Sequence, residues 1–116
     1  MEKSTNIRQP AVAGFFYPRD SQKLSDDVDR LLARSTPAAA PGKIRVAVAP
    51  HAGYQYSGQV AAHSYRLLRG QEFHTAVVVS PSHMERFEFS SVFDGDGYET
   101  PLGVVRTAKD KKACQT

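Results

Sequence analysis

The chain has 116 residues, which suits one domain and leaves too little for two. A hydrophobic fraction of 41% and a charged fraction of 23% are ordinary for a globular protein. A domain of this size is expected to bury roughly 65% of its unfolded surface. The net charge is +3 and the sequence pI 9.2, but Lys and Arg are scattered, and the one local cluster is Lys109, Lys111 and Lys112. That pattern argues against nucleic acid as a partner. The single cysteine, Cys114, cannot close an internal disulfide. The polar start, residues 1–6, lacks the apolar segment of a signal peptide. No apolar run approaches the roughly 20 residues that cross a bilayer. The cytoplasm is therefore the expected location, with no membrane partner.

Taken in order, residues 1–7 read as a loose tail. Residues 8–18 are apolar and aromatic but broken by Pro10, Gly14 and Pro18, which predicts an extended, irregular stretch. Phe15, Phe16 and Tyr17 then need a packing surface. Asp20 or Ser21 caps a predicted helix running to about Arg34, with Leu24, Val28, Leu31 and Leu32 on one face. Asp26, Asp27 and Asp29 fall on its wet side, and residues 35–42 form a loop.

Residues 43–49 read as a strand. Ser57 caps a second predicted helix from Gly58 to about Leu68, with Val60, Ala61, Ser64, Leu67 and Leu68 inward and Gly70 as its stop. Residues 74–80 are the next strand, and the Val77-Val78-Val79 run predicts burial on both faces. Residues 87–93 alternate large and small and read as a third strand. Residues 94–97 form a turn, and residues 98–106 a further extended piece around Pro101 and Gly103. Residues 108–116 carry no pattern. The expected class is α/β, with a mixed or parallel sheet and flanking helices.

The chemistry-bearing feature is a pair of histidines. His51 follows the first strand in Pro50-His51-Ala52-Gly53-Tyr54, and His83 follows the second in Ser80-Pro81-Ser82-His83. A strand–helix–strand unit sets its strands parallel, with both C-terminal ends on one edge. In open α/β sheets ligands bind at that edge. Adjacent strands are about 4.8 Å apart, so residues just past their ends can share an ion. Imidazole ligates iron, zinc or copper when neutral, although such a site ordinarily takes a third protein ligand. Either histidine alone could equally bond loop backbone.

Tyr54 and Tyr56 reach the same edge, each either as a packing residue or as a phenol that handles charge, with Tyr54 or another loop residue as the candidate for handling a proton. Ser82 has no glycine-flanked elbow or orienting base, so it reads as a turn residue rather than a nucleophile. Asp94-Gly95-Asp96-Gly97 starts like a calcium loop. It then places Tyr98 at the third-ligand position and Glu99 at the glycine position, which excludes that site. His63, within a helix, and His74, at a strand start, read as surface or packing residues, and Cys114 as a solvated thiol.

Four motifs together carry a family resemblance. These are Arg8 with Pro10-Ala11-Val12-Ala13-Gly14-Phe15-Phe16-Tyr17-Pro18; Ala49-Pro50-His51-Ala52-Gly53-Tyr54 with Tyr56-Ser57-Gly58; Ser80-Pro81-Ser82-His83; and Thr100-Pro101-Leu102-Gly103. In order and spacing the chain resembles the Memo family, known in prokaryotes as AmmeMemoRadiSam system protein B, over about residues 8–106. The resemblance implies a fold like that of class III extradiol dioxygenases, which use non-haem iron, with His51 and His83 as metal-site histidines. Animal members are associated with motility signalling, phosphopeptide binding and iron or copper handling, while the prokaryotic reaction is unsettled.

Family members are more than twice as long. Their remaining site residues, an Asp, a His and a distal Cys, fall outside the matching stretch, and residues 107–116 read as a truncated or out-of-frame ending. The chain is thus expected to be the N-terminal part of a Memo-like domain, inactive alone, with Fe²⁺ as the metal and copper or zinc as alternatives. Its partner would be a small molecule or a peptide. A partly covered 77–79 strand predicts self-association of this chain. The rival expectation is a non-enzymatic peptide or phosphopeptide module using Arg45, Arg66 or Arg86 as anion contacts.

Overall fold

The computed structural model describes residues 5–40 and 42–108. The first expected helix forms as α1, Ser21–Arg34. The Asp20 carboxylate accepts a hydrogen bond from the Lys23 N–H at 2.8 Å, satisfying one of the free donors of the first turn. Leu24 is 3% exposed and anchors the apolar face, while Asp27 pairs with Arg30 one turn along. At the other end Ser35 is buried and its hydroxyl donates to the Leu32 carbonyl at 2.7 Å.

The second helix starts differently from expectation. Tyr54–Gly58 forms a π-helical turn that runs directly into α2, Gln59–Leu68. Ser57 does not cap it: the helix N-terminus has no side-chain cap, and the Ser57 hydroxyl donates instead to the Ala52 carbonyl. Gly58 lets this turn lie close to α1, since a Cβ there would stand 3.1 Å from Leu31 Cδ1 of α1 and 3.4 Å from Tyr54 Cβ. Val60, expected inward, is exposed, and Ala62 is the buried residue of the helix. Gly70 ends the segment as expected, in the left-handed region at φ 80°.

The two helices pack together. Arg66 Nη1 donates to the Leu32 carbonyl at 2.7 Å and Gln59 Nε2 to the Leu31 carbonyl at 3.2 Å. Side chains of α2 thus add donors to carbonyls of the last turn of α1, with the Leu32 carbonyl accepting from both Arg66 and Ser35.

The sheet is mixed and three-stranded, in the order β1 (Ile7–Arg8), β2 (Gly97–Thr100), β3 (Gly103–Arg106). β1 runs parallel to β2, and β2 and β3 form an antiparallel hairpin closed by Pro101 and Leu102. Gly103 takes φ 128°, a conformation costly for any residue with a Cβ. Residue 7 therefore belongs to the sheet rather than to a tail. Asn6 and Asp96 lock this edge, with the Asn6 N–H on the Asp96 carboxylate and the Asp96 N–H on the Asn6 carbonyl, both at 2.7 Å. Residues 109–116, with Lys109, Lys111, Lys112 and Cys114, lie outside the described residues.

A mixed three-stranded sheet and two helices agree with the expected α/β class, but the strands are not the expected ones. Residues 43–49, 74–80 and 87–93 form no strand. Among the described residues no backbone hydrogen bond joins 43–49 to 74–80. A strand buried on both faces needs neighbours on both edges and helices above and below. Here Val46 and Val48 are 81% and 84% exposed, and Val78 and Val79 are 87% and 89% exposed. Without such neighbours the apolar runs stay unpaired.

The same shortfall shows in the whole surface. The accessible area is 10186 Å². A closed monomer of 12.7 kDa has about 6,200 Å² and its extended chain about 18,400 Å². The chain therefore buries only about 45% of its extended surface, below the share expected from its length. Among the described residues the buried hydrophobics are Ala13, Leu24 and Ala62.

Candidate metal centre

The site begins with the loop that carries His51. Its approach is fixed from α2, where the Ser64 hydroxyl donates to the Val48 carbonyl at 2.7 Å. Its exit is fixed by Ser57 on the Ala52 carbonyl at 3.3 Å. Gly53 is buried against the backbone of Phe16, and the Tyr54 N–H donates to the Phe16 carbonyl at 2.7 Å. The Phe16 segment is itself a tight turn, with the Gly14 N–H on the Tyr17 carbonyl at 2.7 Å and Gly14 at φ 88°. His51 thus projects from a loop held by α2 and by the N-terminal turn.

His83 comes from the other apolar run. Ser82 Oγ donates to the Glu85 carbonyl at 2.7 Å and accepts from the Glu85 N–H at 3.2 Å. Ser82 therefore holds a local turn around His83. The two imidazoles meet: His51 Nε2 and His83 Nε2 are 3.1 Å apart, with ring centroids at 5.3 Å and planes inclined by 39°. At that distance one ring nitrogen can donate to the other, the direction depending on which tautomer each ring takes.

That separation can be compared with what an ion requires. Two nitrogens bound at about 2.1 Å and subtending an octahedral or tetrahedral angle are about 3.0–3.4 Å apart. The observed Nε2 pair falls in this interval, so two neutral imidazoles that carry their proton on Nδ1 would present both Nε2 lone pairs to one cation. Among the described residues no group of three or more His, Cys, Asp or Glu side chains converges. The described residues therefore offer two ligands and no third.

Tyr54 lies elsewhere in its packing. Its ring stands 5.7 Å from that of Tyr17. Burial, reinforced by Tyr17, Tyr65 and Asp27, raises its pKa above 10.0, so the phenol is protonated at neutral pH. Among the described residues no hydrogen bond or ring contact links Tyr54 to either histidine. Tyr56 is exposed. His63 Nδ1 accepts from the Thr36 N–H at 3.3 Å, and His74 Nδ1 contacts Thr75 Oγ1 at 3.1 Å, so neither joins the pair. Arg66 is occupied with the end of α1, which leaves Arg45 and Arg86 as the exposed cations of the rival reading.

The sequence matches the family described as Memo-like protein over residues 8–116. The chain belongs to the Memo-like family. A MEMO1 family protein of Aquifex aeolicus is 40% identical over 99 residues, covering 85% of this chain and 36% of the relative. A MEMO1 family protein of Methanothermobacter thermautotrophicus is 39% identical over 106 residues, covering 85% of this chain and 38% of the relative. One from Thermoplasma volcanium is 36% identical over 98 residues, covering 84% and 35%. The chain thus spans little more than a third of the length of these Memo relatives.

The contacts that position His51 carried little sequence signal. Ser57 stands where a helix cap is expected and serves the His51 loop instead, and Ser64 looks like any half-buried helix residue. His51 and His83 lie 3.1 Å apart, although the strand–helix–strand unit expected to bring them together does not form. Among the described residues no helix is long and apolar enough to cross a membrane.

Proposed function

We propose that His51 and His83 are two ligands of a non-haem metal centre, with Fe²⁺ as its ion, in a cytoplasmic Memo-like domain of the extradiol dioxygenase-like fold. The observation that supports this reading most is the Nε2–Nε2 separation of 3.1 Å, the span of two neighbouring ligands on one ion. The donor set also fits, since two imidazoles suit iron, copper or zinc, and a further carboxylate or histidine would complete an iron site. A bound Fe²⁺ would supply open positions for O₂ and a chelating substrate.

The residues of this chain have narrower tasks. His51 and His83 would each carry the ring proton on Nδ1 and so present two Nε2 lone pairs. Ser57 and Ser64 hold the loop so that His51 arrives without a search over conformations. Tyr54, protonated and packed on Tyr17, sets the start of the π-helical turn behind that loop. The chain by itself is without ring-cleaving activity in this reading, since two ligands hold an ion weakly and its third ligand lies beyond the matching third of a Memo domain.

Anaerobic equilibrium dialysis with Fe²⁺ tests the reading. The expected result is one ion per chain, with affinity falling tenfold or more in His51→Ala and in His83→Ala. Equal binding by wild type and both variants would remove the proposal.

A further inference from the structure

The N-terminal segment and the β2–β3 hairpin meet in a cleft of about 290 Å³ that takes no residue from the loops of His51 or His83. The segment contributes Gln9, Pro10, Ala13 and Arg19, and the hairpin contributes Glu99 and Pro101 with Thr100 between them. That volume lies at the small end of ligand sites, which run from about 300 to 1,000 Å³. It suits a molecule of a few heavy atoms rather than a nucleotide. Pro10 and Pro101 give such a molecule two apolar surfaces.

The two charged groups of the cleft are opposite in sign and are held apart. Arg19 is tied on its own side, where Nη2 donates to the Ala13 carbonyl at 3.2 Å. Its side chain also lies over Gly14, since a Cβ there would stand 3.4 Å from Arg19 Nε. Glu99 is fixed by the sheet, opposite Val104 of β3. The Thr100 hydroxyl shapes the hairpin beside it, donating to the Gly103 carbonyl at 3.0 Å and accepting from the Leu102 N–H at 3.1 Å. Thr100 is thus occupied within the turn. Among the described residues Arg19 pairs with no carboxylate and Glu99 with no cation. One contact with a carbonyl leaves most of the five guanidinium donors open to a carboxylate. The Glu99 carboxylate, on a half-buried residue, is open to an ammonium. A simple anion in this cleft would sit against Glu99, and a simple cation against Arg19, and like charges at close range repel. A zwitterion satisfies both groups.

We propose that this cleft binds a free α-amino acid, with its carboxylate on Arg19, its ammonium on Glu99 and the Gln9 amide as a further polar contact. The assignment uses no metal and no residue of the histidine site.

Amide-detected NMR titration of the 116-residue chain with L-alanine tests it. Acetate and methylammonium, each carrying one of the two charges, are the comparison probes. The expected result is saturable shifts at Gln9, Ala13, Arg19, Glu99 and Thr100, with the amides of α2 unmoved. L-Alanine should bind about tenfold or more tightly than either single-charge probe. Arg19→Gln and Glu99→Gln should each lower its affinity about tenfold or more, whereas Arg69→Gln, which removes the partner of Asp29, should not change it. Glu99→Gln leaves the strand pairing intact and so separates loss of binding from loss of fold. Absence of saturable shifts with L-alanine would overturn the proposal. Acetate binding as tightly as L-alanine would also overturn it, by making the cleft a plain anion site, and so would unchanged affinity in Glu99→Gln.

Discussion

The two halves of the surface around His51 and His83 behave in opposite ways. On the helical side, α1, the π-helical turn, α2 and the 12–17 turn close on one another through Leu24, Ala13, Ala62 and Gly58. On the other side, runs with stronger apolar character, 44–49 and 76–80, stay bare. Hydrophobicity alone therefore does not decide what is buried. An amphipathic helix satisfies its own backbone and needs one partner face, which α1 and α2 give each other. A strand needs backbone partners as well as cover. The histidine pair sits across this divide, with the His51 loop held by the closed side and His83 on the open one.

Substitutions sharpen that contrast. Leu24→Ala removes the most buried large side chain of the helical side and is expected to cost about 2–5 kcal/mol. Val78→Ala, on the open side, should move stability of the chain alone by no more than about 0.5 kcal/mol. Urea unfolding followed by helical circular dichroism compares the two, and equal losses would show that the valine run is already packed. A smaller effect is expected at the helix start, where Asp20→Ala loses the cap on Lys23 and about 1 kcal/mol.

The smallest effect concerns Tyr54. Because burial raises its folded pKa above 10.0, folding favours the protonated phenol. That contribution is complete below the unfolded value of about 10 and is lost as pH rises through the folded value. The urea midpoint of the helical side should therefore fall more steeply above about pH 10 in the wild type than in Tyr54→Phe. Parallel pH profiles would assign the alkaline loss to other groups.

Much of the closed side was legible in the sequence. Leu24, Val28, Leu31 and Leu32 at helical spacing behind Asp20 specify α1, and Gly70 marks the end of the α2 segment. Local patterns decide both. The misreadings fall where long-range partners decide. Residues 43–49 and 74–80 have strand composition but no strand partners, and β1 forms against β2 beside the tie from Asn6 to Asp96, 90 residues on. No local pattern announces that tie. The π-helical turn was also hidden, since Ser57 imitates a cap while bonding Ala52. The structure brings His51 and His83 to 3.1 Å, but the parallel strands from which their meeting was expected do not form.

The central claim is that His51 and His83 act together on one ion. Imidazole ring-proton NMR during anaerobic titration with Zn²⁺, as a diamagnetic probe, tests it most directly. The account predicts that the His51 and His83 signals shift together and saturate at one ion per chain, while His63 and His74 stay in place. Independent shifts of His51 and His83, or saturation at His63 or His74 first, would contradict it.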